Sequence, residues 1–140
     1  MPKAGMTVDK AKAAVLAEEK RLVSFIPPEF VARHQQLTES YLLSCSATGS
    51  YTWPDQGVVT LNGNPDVGPI LRGIAEKYTR LPGFKVSFDT TVDGAERLMV
   101  SGDDGADYLV SPLSSDTELR IATFSACFTL GPDQWPGDAY

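Results

Sequence analysis

Apolar residues recur through positions 7–26 at Val8, Ala11, Val15, Leu22 and Phe25 or Ile26, and this three-, four- and seven-residue spacing predicts an amphipathic helix. Thr7 is placed to cap it. Pro27-Pro28 ends it, because proline disfavours helical backbone in the residue before it. Lys10, Lys12, Glu18, Glu19, Lys20 and Arg21 are assigned largely to the opposite, solvated face. A second, shorter helix is predicted from about Glu29 to Glu39, with Phe30, His34, Leu37 and Tyr41 on one side.

The spacing then changes to period two. Tyr41, Leu43, Cys45 and Ala47 alternate with Leu42, Ser44 and Ser46, predicting a strand. Thr48–Gln56 is expected to be a loop and Gly57–Leu61 a second strand. Asn62-Gly63-Asn64-Pro65 is turn chemistry and leads into a helix near Asp66, whose stripe is Val67, Ile70, Leu71, Ile74 and Tyr78. Leu81-Pro82-Gly83 stops that helix. A meander follows, with Phe84, Val86 and Phe88 alternating with Lys85, Ser87 and Asp89. Asp93-Gly94 turns it into Arg97–Ser101, Asp103-Asp104-Gly105 turns it into Asp107–Ser111, and a last strand covers about Glu118 to Phe128. This order predicts an α+β fold, an antiparallel sheet of about five to six strands with two to three helices packed on one face. Residues 1–130 form a single domain in this reading, and the Gly-, Pro- and Asp-rich tail 131–140 is expected to be poorly ordered.

Composition narrows the class. The chain of 140 residues is 42% apolar and 21% charged, which excludes an intrinsically disordered chain. A fold of this size exposes roughly 7,000 Å² and supports one hydrophobic core. No apolar run approaches the about 18 residues of a membrane span. The net charge of −6, with no block of Lys or Arg, argues against a general nucleic-acid binder.

Candidate chemistry is sparse. His34 is the one histidine, and its phase with Phe30 and Leu37 places it as a packing residue at the core margin. Asp103, Asp104 and Asp107, with Asp116 and Glu118 beyond, lack the ligand positions of a calcium loop and suit hairpin turns. No Gly-rich phosphate loop is present, and two cysteines outside any CxxC pair, beside one histidine, do not make a zinc site. No catalytic residue, cofactor or metal is therefore assigned. Cys45 and Cys127 are either buried free thiols, as in cytosolic proteins, or one long-range disulfide. The bond would close a loop of about 83 residues, worth roughly 4.5 kcal/mol by the chain-entropy argument. The segment Ser50–Gln56 is the candidate contact surface, through Tyr51, Trp53 and Asp55. The alternative is that Trp53 folds back over the sheet edge as a lid on the core. Trp135-Pro136 in the tail raises the same question.

Four stretches resemble small actinobacterial cell-envelope proteins, in particular lipoproteins of the mycobacterial LppA type. They are Leu43-Ser44-Cys45, Tyr51-Thr52-Trp53-Pro54, Leu81-Pro82-Gly83-Phe84 and Phe124-Ser125-Ala126-Cys127-Phe128, taken in their order and spacing over about residues 40–130. The resemblance implies an exported α+β domain tethered by a lipidated N-terminal cysteine, with no established enzymatic activity. The chain departs from it at its start, where Met1-Pro2-Lys3-Ala4-Gly5 carries neither export signal nor lipid-attachment cysteine. The signal has been trimmed, or the protein is cytosolic. The favoured expectation is a non-enzymatic envelope domain, stabilised by a Cys45–Cys127 disulfide, that binds a protein or small ligand. It would meet the membrane only through a lipid anchor outside this chain. The alternative is a small acidic cytosolic protein of the immunity-protein or secretion-chaperone type that blocks a basic partner.

Overall fold

A computed structural model describes residues 5–113 and 117–140. Helix α1 spans Val8–Ser24, and the Thr7 hydroxyl accepts from the Lys10 N–H at 3.2 Å, capping it as the sequence suggests. Its buried face is Val8, Ala11, Val15, Glu19, Leu22 and Val23. Glu19 is thus a departure from the expected solvated face. It lies four residues after Val15 and three before Leu22, in phase with the apolar stripe.

The predicted second helix does not form. Pro28–Phe30 makes one 3-10 turn, and the chain continues as strand β1, Val31–Gln36. Long polar side chains at Arg33, Gln35 and Gln36 do not select a strand locally, so pairing with a neighbour decides the conformation. Next come β2 (Leu43–Ser44), β3 (Ser50–Thr52) and β4 (Pro54–Leu61). The expected strand over 41–47 shrinks to two residues and an isolated bridge from Tyr41 to Ala139, and the expected loop at 48–56 is largely strand. Helix α2 covers Val67–Thr79, followed by β5 (Phe84–Thr90), β6 (Glu96–Gly102), β7 (Asp107–Pro112), β8 (Glu118–Phe124) and β9 (Phe128–Thr129). The final predicted strand is therefore broken, because Ser125–Cys127 carries the chain from one sheet to another.

The fold is α+β. Six antiparallel strands lie in the order β1-β4-β8-β7-β6-β5, and a three-stranded sheet has the order β2-β3-β9. One face of the larger sheet supplies Val59 and Leu61, Leu119 and Ile121, Tyr108 and Val110, and Leu98 and Val100 to the core. Over that face α2 lies across β5 and β6, and α1 reaches β8 and β9. The helices meet at Tyr78, whose hydroxyl donates to Glu18 at 2.7 Å while its ring packs edge-on against Phe25 and Phe84. The accessible area is 7824 Å², near the value expected from size.

The C-terminal segment meets the chain ahead of β2. Tyr140 exchanges two backbone hydrogen bonds with Ser40, each 2.8 Å, and its hydroxyl donates to the Trp135 carbonyl. Trp135 itself is exposed.

Two glycines respond oppositely to a methyl group. A Cβ on Gly57 would lie 2.1 Å from the Glu19 carboxylate, whereas one on Gly73 meets nothing within 4 Å. Gly57→Ala is expected to cost about 1–3 kcal/mol, since Glu19 is fully buried and has no route to water. Gly73→Ala is expected to stabilise by about 0.4–1 kcal/mol. Urea unfolding of both variants checks this, and equal effects would contradict the packing described.

Candidate functional site

The two cysteines are joined. Cys45 follows β2 and Cys127 precedes β9, their Cα atoms 6.4 Å apart, so the bond ties the outer strands of the small sheet across β3. Neither cysteine is within a strand, and no strand periodicity locates the pairing; their places beside the two outer strands of the β2-β3-β9 sheet do.

The expected contact surface is placed differently from a loop. Trp53 is 0% exposed and Asp55 4%, which leaves Tyr51 alone half-buried. Trp53 is the single residue between β3 and β4. Its N–H donates to the Ser125 hydroxyl at 2.8 Å, its indole Nε1 donates to the Tyr140 carbonyl at 2.8 Å, and Lys12 Nζ lies 5.3 Å from its ring. The arrangement is the lid over the core that formed the alternative reading.

Beneath α1 lies a polar cluster that periodicity did not find. His34 sits on β1 opposite Val59, so it faces α1, and its Nε2 is 2.6 Å from Glu19 Oε2. Burial pushes the Glu19 carboxyl up to about 7, against the lowering effect of the Gln36 amide. His34 is pushed down from its ordinary value by burial and by Lys20. Both directions favour the uncharged pair, a protonated carboxyl donating to a neutral imidazole. Asp55, on the same face of β4, is pushed up to about 6, mainly by burial, with Glu19 adding to the rise and the Gln56 N–H and Lys12 opposing it. Glu19 Oε1, both Asp55 oxygens and the Thr123 hydroxyl make no hydrogen bond of good geometry among the described residues. Thr123 is the register partner of Asp55 across β4 and β8.

The accessible site is elsewhere. A groove of about 520 Å³ opens between the end of α1 and the outer side of α2. Phe25, Pro27, Phe30, Pro65, Pro69 and Ile70 make its apolar lining, Gly73 leaves it open in the middle, and Asp66, Glu76, Lys77 and Arg80 form its polar margin. Phe25 and Phe30 flank the Pro27-Pro28 segment and the 3-10 turn, and both line the groove. The uncovered face of the sheet holds a smaller cavity of about 200 Å³ around Arg97, Leu109, Arg120, Ala122 and Phe124.

The acidic stretch behaves as a turn. Asp104 accepts from the Ala106 N–H at 3.0 Å, Gly105 takes a positive φ of 94°, and Asp116 lies outside the described residues. Among the described residues no group of three or more His, Cys, Asp or Glu is arranged to hold a metal. No described helix is long and apolar enough to cross a membrane. No protein family, curated protein or solved structure matches the chain.

The buried acids predict a pH dependence. Both carboxyls bind protons more tightly in the folded state than in the unfolded chain. Stability tied to them is complete below about pH 4, falls as pH rises and is gone above about pH 7. His34, depressed, works in the opposite sense and loses stability as pH falls below its ordinary range. Glu19→Gln keeps the shape without the titration, so its melting temperature should fall less steeply than the wild type's between about pH 5 and 7.5. Parallel melting curves for the two proteins would contradict the placement of Glu19.

Proposed function

We propose that this chain is a non-enzymatic, exported cell-envelope domain that holds a small, largely apolar ligand in the groove between α1 and α2. The observation that carries the reading is the Cys45–Cys127 bond, because such bonds persist in oxidising compartments and are rare in the cytosol. The resemblance to LppA-type lipoproteins supports it and implies a lipid tether preceding this sequence. The groove has the volume and apolar character of small-ligand pockets, with four charged residues at its margin. Lys77 has no ion-pair partner among the described residues and supplies an attachment point for one polar group of the ligand, whereas Arg80 is held by Glu76 at 2.6 Å. The two carboxylates most perturbed by burial lie beneath α1 rather than in the groove, which supports a binding role over acid–base chemistry there. A net charge of −6 favours a second reading, an acidic cytosolic inhibitor of a basic partner, in which both cysteines are reduced.

Thiol alkylation followed by intact mass separates the two. Protein recovered from its native cells without reductant should take up label on both cysteines only after reduction; label on denaturation alone would move the protein to the cytosolic reading. The groove is tested with the neutral fluorophore N-phenyl-naphthylamine. Gly73→Leu places a side chain in open space and is expected to weaken dye binding by at least about tenfold while leaving the fold intact. Unchanged dye binding would remove the groove from the proposal.

A further inference from the structure

We propose that the outer edge of β5 is a self-pairing surface, through which two copies of this chain join antiparallel about a two-fold axis at Ser87. The six-stranded sheets of the two copies would merge into one. Strand β5 ends the order β1-β4-β8-β7-β6-β5, and no described strand pairs with its outer side. It runs seven residues in unbroken register with β6, without proline or bulge. Natural sheets usually blunt such an edge, because its open N–H and C=O groups are a template for another strand.

The backbone phase can be read from the bonds flanking the hairpin. Asp103 donates to the Gly83 carbonyl and Thr91 to the Ala95 carbonyl, each at 2.8 Å. Odd-numbered residues therefore bond inward to β6, since antiparallel ladders alternate bonded and non-bonded pairs. Phe84, Val86, Phe88 and Thr90 turn their N–H and C=O groups to the free edge.

A two-fold axis at Ser87 matches these outward groups. Val86 then lies opposite Phe88 of the second copy and Phe84 opposite Thr90, all as bonded pairs. Lys85 lies opposite Asp89 as a non-bonded pair, the kind in which side chains come closest. This register uses every residue of the strand and is the one that sets each charge against its opposite. It is isologous and so closes at two copies on this edge. Phe88 is 42% exposed and would be covered by Val86 of the second copy. Lys85 has no ion-pair partner among the described residues. Asp89 is held by Arg97 at 2.6 and 2.9 Å yet its side chain is 39% exposed, so its carboxylate is open to a second cation.

Sedimentation equilibrium from about 1 to 100 μM tests the pairing. The mass should rise toward twice the 15.1 kDa of one chain. Lys85→Glu and Asp89→Lys each set like charges opposite at two places and should weaken association at least about tenfold. An equimolar mixture of the two variants should recover it, because every facing pair is then of opposite sign. Phe88→Pro removes an outward N–H without touching a bond to β6 and should also give a monomer. In wild type, hydrogen exchange at the Val86 and Phe88 amides should slow as concentration rises. A monomer at every concentration overturns the proposal. So does a dimer that both charge variants leave intact, or two weakened variants whose mixture recovers nothing.

Discussion

Burial of Trp53 at the joint between the two sheets is the interaction on which the other placements depend. Its indole removes about 150–250 Å² from water, worth roughly 4–6 kcal/mol at the usual area coefficient. Because it is the single residue separating β3 from β4, seating that ring fixes where one sheet stops and the other starts. The crossing strand is pinned at the same point: Ser125 donates its N–H to the Trp53 carbonyl at 3.1 Å and accepts the Trp53 N–H on its hydroxyl. Cys127 lies two residues beyond Ser125, which brings it within reach of Cys45. The indole N–H then recruits the Tyr140 carbonyl, so the C-terminal segment is held by the same residue.

A second constraint comes from the cluster beneath α1. A glutamate in the apolar stripe of a helix would be costly if charged and unpaired. Here the cost is met by His34 on the facing strand, by protonation, and by Gly57, which leaves space for the carboxylate against the backbone of β4. The cluster locates α1 across β1 and β4 more specifically than a wholly apolar contact would, since one side chain has one acceptable partner. Its uncompensated oxygens on Asp55 and Glu19 make this part of the core less stable than packing alone would give.

The groove, the uncovered sheet face and the β5 edge each have a different character. The groove between the helices is concave and apolar, suited to a small molecule. The uncovered sheet face holds a smaller cavity, with arginines among apolar residues. The β5 edge offers backbone rather than a pocket. Groove and edge are separated by the body of α2, so a ligand in one and a second copy on the other need not compete.

Local signals determined the two helices and the β5–β7 meander. Helix periodicity, the Thr7 cap and the Asp-Gly turns act between residues close in sequence, and their energies hold wherever the segment lies. The class of fold followed from their order. Tertiary structure alone decided the rest. Val31–Gln36 becomes a strand because β4 offers an edge, and the aromatic-polar segment around Trp53 becomes buried because two sheets need a joint. Glu19 had a legible signal, its phase with Val15 and Leu22, but charge argued against burial until His34 was known to face it. The disulfide, the groove that sets Phe25 and Phe30 against α2 and the docking of Tyr140 join residues distant along the chain, and no spacing records such contacts before the backbone closes them.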